Sequence, residues 1–213
     1  MWYTTSSRKA TMQEIESPYD IKDFIFIDVE TTGVNLHDSS SYFDKHIIKK
    51  DLIQIGIAWT EDGTTTQSVH SFVRPPANYF EVQDDWYKNG EEFNVSPKSV
   101  VNAPTWDKLF PWIQTLIGNK TPVAHNADFD AQVLIDTSFH YGLRFLDRPF
   151  WKCTMQDSKE LVKELSNHSL KEMADYFNIN MGNHHNAVDD AKTCLEIFRE
   201  LQFYRKRPDW IFV

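Results

Sequence analysis

The strongest structural signal in the chain is Phe24-Ile25-Phe26-Ile27-Asp28-Val29-Glu30-Thr31-Thr32-Gly33. Its four leading apolar residues are aromatic or β-branched, which predicts a short strand buried on both faces rather than a helix. Because side chains alternate along a strand, Asp28 and Glu30 leave by one face and Val29 by the other. Two carboxylates at the end of a buried strand repel each other and lose hydration, and a divalent cation removes both costs. The alternative is an exposed strand end with two solvated acids.

Composition limits the classes of protein that this chain can form. Its 213 residues, 41% apolar, predict one globular domain with a full core. A formal charge of −9 argues against a broadly basic nucleic-acid surface, although not against an acidic site that holds phosphate through metal ions. We find no signal pattern and no apolar run of membrane-spanning length, so we expect a cytoplasmic protein. Cys153 and Cys194 are isolated, which predicts reduced packing residues.

The first half of the chain predicts an arm, a domain start and three strands. Residues 1–20 are mixed and polar and predict an N-terminal arm, and the domain proper is expected over residues 21–205, before a tail at 206–213. The predicted strands span residues 21–30, 52–59 and 65–73, with a turn at 61–63. Three successive strands predict an antiparallel start to the sheet.

Helices alternate with strands in the second half. The predicted helices span residues 103–117, 129–141, 154–165, 170–178 and 186–204, and the predicted strands span residues 121–125 and 151–153. Pro111 should kink the first of these helices or split it in two. The whole pattern predicts a mixed-sheet α/β domain. Ligands of such sheets gather at the carboxyl ends of strands, where Asp28, Glu30 and His125 fall.

A second acidic stretch, Val123-Ala124-His125-Asn126-Ala127-Asp128-Phe129-Asp130, runs from a strand through a turn into a helix. An acid in the first turn of a helix is often a simple capping residue, and we interpret Asp128 in that way. Asp130 is a candidate fourth carboxylate.

A third stretch, His184-His185-Asn186-Ala187-Val188-Asp189-Asp190-Ala191, leads into the last helix. At about 100° per residue, Asp190 lies about 60–70° from the centre of the apolar face, whereas Asp189 points nearly opposite. Asp190 is therefore predicted at the protein-facing edge and Asp189 in solvent. His185 is expected in the approach loop or the first turn, where an imidazole can act as a base near neutral pH.

Together these three stretches resemble the three motifs of the DnaQ-like 3′–5′ exonucleases in their His-containing DEDDh branch, whose relatives include the epsilon proofreading subunit of bacterial DNA polymerase III. The motifs are Phe26-Ile27-Asp28-Val29-Glu30-Thr31-Thr32-Gly33, Ala124-His125-Asn126-Ala127-Asp128-Phe129-Asp130, and His185 followed at the family's spacing by Asp190. The similarity extends from about Phe24 to Phe203. Each motif alone is a weak signal, whereas three in order with the right separations are a strong one.

The resemblance implies a ribonuclease-H-like fold and metal-dependent hydrolysis of phosphodiester bonds from the 3′ end of single-stranded DNA, with release of nucleoside 5′-monophosphates. It implies two Mg²⁺ ions, replaceable by Mn²⁺, held by Asp28, Glu30, Asp130 and Asp190, with Asp28 bridging to the second ion. His185 would be the general base. The residues that would line the site for the terminal nucleotide are Thr31, Thr32 and Asn126.

Two alternative functions remain open at this level. One is a 3′–5′ exoribonuclease on the same site, because the 2′-OH is read by surrounding residues. The other is a nucleic-acid-binding module that no longer cleaves. Residues 34–50 and 77–101 differ from usual members, and the aromatic residues of 77–101 predict either base stacking or a cluster that pins a loop. A DNA polymerase partner, for proofreading or repair, is not evident from the sequence.

Overall fold

The computed structural model describes residues 20–31, 51–75, 100–145, 151–183 and 185–205. Five strands form one sheet with the order β3-β2-β1-β4-β5, in which β1, β2 and β3 pair antiparallel and β1, β4 and β5 pair parallel. The predicted mixed α/β sheet, antiparallel first and then parallel, is confirmed. Its strands are β1 (Phe24–Thr31), β2 (Leu52–Thr60), β3 (Thr66–Phe72), β4 (Thr121–Ala124) and β5 (Lys152–Cys153).

Five α-helices flank the sheet in the described part of the chain. They are α1 (Trp106–Ile117), α2 (Ala127–His140), α3 (Thr154–Leu161), α4 (Leu170–Phe177) and α5 (Ala187–Arg205). None of these helices is both long and apolar enough to cross a membrane. The expected arm and tail lie outside the described residues apart from Asp20, as do residues 34–50 and nearly all of 77–101.

Alternation along β1 divides the core into two parts. Ile25, Ile27 and Val29 face a cluster formed with helices α1 and α2. Phe24 and Phe26 face the opposite way and pack on helix α5, where both rings contact Phe198. The central strand is therefore buried on both faces, as its apolar sequence predicts.

Several element boundaries differ from those predicted. The first strand begins at Phe24 rather than at residue 21, because Asp20 caps a 3₁₀ turn, Ile21–Asp23, by accepting from the Lys22 N–H. Helix α1 begins at Trp106 and continues unbroken through Pro111, so the alternative that Pro111 splits it is wrong. Helix α3 ends at Leu161, four residues before the predicted end.

The hairpin between β2 and β3 is tied to helix α5. Asp62 organises the turn by accepting from the N–H groups of Thr64 and Thr65, which holds the pKa of its carboxyl well below the usual range. Arg199 on α5 donates to the Thr64 carbonyl at 2.9 Å and to the Glu196 carboxylate at 2.6 Å. These contacts fix α5 across the antiparallel half of the sheet.

Gly56 in β2 allows the first turn of α5 to lie directly on the sheet. It is the ladder partner of Asp28 in β1. A Cβ at this position would lie 2.1 Å from the carbonyl carbon and oxygen of Ala187 and 2.3 Å from the Val188 nitrogen. Since those are backbone atoms, a side chain at position 56 would have to displace the helix.

We expect Gly56→Ala to destabilise the fold by about 3 kcal/mol or more, because the added methyl meets backbone rather than a movable side chain. Urea unfolding followed by circular dichroism measures the change. Gly142→Ala is the matched control: its φ of +67° carries a strain cost of about 1 kcal/mol, but no atom of the described residues lies within 4 Å of the new Cβ. Equal losses in the two variants would contradict the close approach of α5 to β2.

Candidate active site

The carboxyl end of β1 presents two acids to helix α5. Asp28 and Glu30 lie on the same face of the strand as Phe24 and Phe26, while Val29 points into the opposite cluster. Asp28 is half-buried, and Glu30 is only 9% exposed. The alternative of two solvated acids at an exposed strand end is therefore wrong.

Helix α2 brings a third acid to the same strand end. Asn126 adopts a left-handed conformation, with φ of 83°, and turns the chain from β4 into the helix. Asp130 follows in the first turn, is 2% exposed, and accepts a hydrogen bond from the Val29 N–H through Oδ1 at 3.1 Å. The ladder between β1 and β4 has its last pair at Phe26, so β1 continues past β4 and meets Asp130 instead.

Helix α5 contributes the fourth acid, and the segment just before it contributes a histidine. Asp190 is 3% exposed, and its Oδ2 accepts from the His185 N–H at 3.0 Å. His185 precedes the helix and has a positive φ of 63°. Single ligand atoms of Glu30, His185 and Asp190 lie within 4.8 Å of one another. Asp28 and Asp130 stand outside that trio but interact electrostatically with its members.

Burial and repulsion between neighbouring acids raise the pKa values of Asp28, Glu30 and Asp130. Burial raises the pKa of Glu30 to about 8, with a further contribution from Asp190. Burial also raises the pKa of Asp28 well above its usual range, and Asp130, Asp190 and Glu30 add to the effect. The pKa of Asp130 is raised by burial, which the hydrogen bond from Val29 partly opposes. The four carboxylates thus form one electrostatic unit at the carboxyl end of β1.

The chain matches the RNase_T exonuclease family model over residues 25–198, which contain all four acids and His185. The chain belongs to the DnaQ-like exonuclease family. The matched range lies inside the domain expected over residues 21–205. The acids that converge from β1, α2 and α5 therefore all lie within the range that matches the family.

Known proteins to which this chain is similar include two that are named as DNA polymerase III proteins. It is 32% identical over 177 residues to the "DNA polymerase III PolC-type" of Clostridium perfringens, covering 83% of this chain and 11% of the relative. It is 24% identical over 176 residues to the "DNA polymerase III subunit epsilon" of Aquifex aeolicus, covering 82% of this chain and 78% of the relative. The chain thus spans about a tenth of the length of the PolC-type relative.

A solved structure shares the fold. The nuclease domain of 3′hExo, described as a DEDDh family member bound to rAMP, superposes with a TM-score of 0.68 at 16% identity, covering 88% of this chain and 94% of that one. The expected ribonuclease-H-like fold is thereby confirmed.

The donor set of the exonuclease site fits divalent metal ions. Carboxylate oxygens are the ligands that Mg²⁺ and Mn²⁺ prefer. The raised pKa values show that these acids are costly to ionise together without a compensating positive charge. The site therefore has both the ligand chemistry and the electrostatic need for bound cations.

His125 stands beside this site but has a different environment. Burial lowers its pKa to about 4, so the ring is neutral near pH 7. Its Nε2 donates to the His168 carbonyl at 2.8 Å, and its Nδ1 then accepts from the Thr154 hydroxyl at 2.9 Å. His125 thus ties the end of β4 to the start of α3 and to the segment before α4.

Helical periodicity predicted that Asp189 lies in solvent. This prediction is wrong, because the Asp189 side chain is only 21% exposed. Its Oδ2 accepts from the Asn183 N–H at 3.3 Å, and its Oδ1 pairs with Lys192 at 3.1 Å. Periodicity describes only the helix, whereas the segment before α5 folds back over it and covers Asp189.

The three residues that were expected to line the site for the terminal nucleotide differ in their positions. Thr31 ends β1 and is half-buried, Asn126 is exposed immediately before α2, and Thr32 lies outside the described residues. Sequence reasoning missed Gln54, which is buried opposite Glu30 in the β1–β2 ladder. A polar residue within the apolar run of β2 was the available signal.

We expect the metal-free protein to lose stability as the pH rises from about 6.5 to about 9. The pKa of Glu30 lies near 8 in the folded protein against 4.5 as its ordinary value, so the folded state holds protons that the unfolded state has released. Stability from this group is present at low pH and is lost as the pH rises through the folded pKa. His125 is neutral in both states over most of this window and contributes little.

Thermal unfolding in chelator and in millimolar Mg²⁺ measures this dependence. Mg²⁺ should raise the melting temperature most at the alkaline end, because it binds the ionised carboxylates of the folded state. Glu30→Gln should flatten the pH dependence in chelator. A melting temperature that is insensitive to both pH and Mg²⁺ would contradict the electrostatic unit.

Proposed function

We propose that this protein is a metal-dependent 3′–5′ exonuclease that removes nucleotides from single-stranded DNA ends and releases nucleoside 5′-monophosphates. The observation that carries the proposal is the meeting of four acids and His185 from three separate segments at one end of the sheet. A structural domain has no need for this costly arrangement. Membership of the exonuclease family supports the same conclusion.

Each acid has a place in this proposal. Asp28, Glu30 and Asp190 would hold one Mg²⁺ ion, and Asp28 together with Asp130 would hold a second. Mn²⁺ would replace Mg²⁺ at both positions. When bound, the two ions supply positive charge for the scissile phosphate and lower the pKa of the attacking water. The hydrogen bond from Val29 fixes the orientation of the Asp130 carboxylate toward β1.

His185 is the general base of the proposed reaction. A ring nitrogen of His185 lies within 4.8 Å of carboxylate oxygens of Glu30 and Asp190, so the ring borders the site where the phosphate would bind. The His185 backbone N–H donates to the Asp190 carboxylate, which fixes the position of the His185 backbone beside the acids. The imidazole takes a proton from the attacking water as the water oxygen bonds to phosphorus. The bond from phosphorus to the 3′ oxygen breaks, and the 3′ oxygen takes a proton from solvent.

DNA is the proposed substrate because relatives of the chain carry DNA polymerase names. The same similarity supports a role beside a DNA polymerase, in proofreading or repair. RNA is the second candidate, since the solved relative 3′hExo was bound to rAMP. The four acids serve either sugar, so the choice rests on residues that meet the 2′ position.

A gel assay of 3′- and 5′-labelled single-stranded DNA and RNA of one sequence tests the proposal. With Mg²⁺ we expect shortening from the 3′ end, faster on DNA, and none in chelator. His185→Ala should slow the reaction by about 10²–10⁴-fold. Faster shortening of RNA would move the assignment to an exoribonuclease. Binding of either strand without cleavage, in Mg²⁺ and in Mn²⁺, would overturn the nuclease.

The adjacent aspartates give a matched pair of variants. Asp190→Asn should abolish Mg²⁺-dependent cleavage, because a buried ligand of the metal loses its charge. Asp189→Asn should retain most of the activity, since Asp189 contacts Asn183 and Lys192 rather than the other acids. Single-turnover rates of the two variants measure the difference. Equal losses would show that the segment before α5 matters as much as the acid.

A further inference from the structure

Gln54 is a buried polar residue between the acidic site and helix α5. It is 1% exposed, and its neighbours in β2, Ile53 and Ile55, are buried apolar residues. In the antiparallel ladder it lies directly opposite Glu30. Directly opposed side chains share one face of the sheet, here the face that α5 covers. Because a buried amide is unfavourable unless it forms hydrogen bonds, its contacts explain its presence.

The side chain of Gln54 binds the first residue of α5. Its Oε1 accepts from the Ala187 N–H at 3.4 Å, in a buried position. The first N–H groups of an α-helix have no acceptor within the helix. Gln54 therefore supplies, from the sheet, an acceptor that the helix cannot supply. Gly56, two residues along β2, admits the backbone of the same turn.

This turn carries the two groups that α5 and its approach bring to the site. Ala187 lies two residues after His185 and three before Asp190, and the bond from the His185 N–H to Asp190 closes the turn around it. A shift of Ala187 along β2 would therefore carry His185 and Asp190 with it. Glu30, by contrast, belongs to β1 and would stay in place.

We propose that Gln54 is a positioning residue of the exonuclease site: its bond to Ala187 sets the first turn of α5 so that Asp190 and His185 meet Glu30 at metal-binding distance. The inference rests on the proposed function. Gln54 contacts neither metal nor nucleic acid in this role and acts through Ala187. Packing alone does not require it, because a methionine fills a similar volume without an acceptor oxygen.

Gln54→Met tests the role of the acceptor with little change in volume. We expect about tenfold more Mg²⁺ for half of the maximal thermal shift, as for other residues that orient metal ligands. We also expect faster hydrogen exchange at the Ala187 amide in metal-free protein, measured by NMR. Gln202→Met is the matched control, because Gln202 is also buried, lies near the other end of α5, and its Oε1 has no partner among the described residues.

The control should keep the Mg²⁺ dependence of the unchanged protein and the slow exchange of Ala187. If Gln54→Met behaves like Gln202→Met in both measurements, the positioning role is overturned. If Gln54→Met does not fold, two further variants replace it. Gln54→Glu keeps an acceptor oxygen at the same length and should preserve slow exchange of Ala187, whereas Gln54→Asn is one methylene too short and should lose it. Equal exchange rates in that pair would overturn the role.

The readouts separate this inference from the proposed function. Hydrogen exchange at Ala187 reports the contact without metal or substrate. Absence of cleavage by the unchanged protein, with its Mg²⁺ response intact, would refute the nuclease but leave Gln54 in its positioning role. The opposite result is also informative. If the protein is a Mg²⁺-dependent nuclease, and Gln54→Met changes neither the Mg²⁺ response nor the exchange rate of Ala187, only the inference about Gln54 is refuted.

Discussion

The structure depends on holding four carboxylates together where water is largely excluded. Burial makes Asp28, Glu30 and Asp130 costly to ionise, and neighbouring acids, Asp190 among them, add to that cost. Isolated acids on mobile segments would separate into solvent. Here the acids are carried by a central strand and by the first turns of two helices. They cannot move apart, and burial together with repulsion raises the pKa values of Asp28, Glu30 and Asp130. A divalent cation bound among these acids would offset this electrostatic cost.

The backbone around the site is strained at two positions. Asn126 and His185, the residues that lead into α2 and α5, both have positive φ values, each unfavourable by about 1 kcal/mol for a residue with a side chain. Strain of this kind persists where the surrounding contacts determine the conformation. At Asn126 it turns the chain so that Asp130 reaches Val29, and at His185 it allows the backbone N–H to reach Asp190.

The sequence predicted the parts of this arrangement that depend on periodicity. Alternation along β1 placed Asp28 and Glu30 on one face, and the helical step separated buried Asp190 from Asp189. The order of strands and helices predicted the mixed sheet. The 3₁₀ turn before β1, the early end of α3 and the covering of Asp189 were missed, because each depends on a capping contact or on a segment that folds back. Gln54 was missed because its partner lies 133 residues away in the chain.

Asp189 and Asp190 have identical side chains but different contacts, because one helical step separates them. About 100° of rotation turns Asp190 toward Glu30 and leaves Asp189 beside the segment that precedes the helix. Asp189 then holds Asn183 while Asp190 holds His185, so the approach to α5 is fixed by both residues. Gln54 holds the same turn from the sheet. The turn that carries His185 and Asp190 is thus held both by backbone contacts at its start and by a side chain of the sheet.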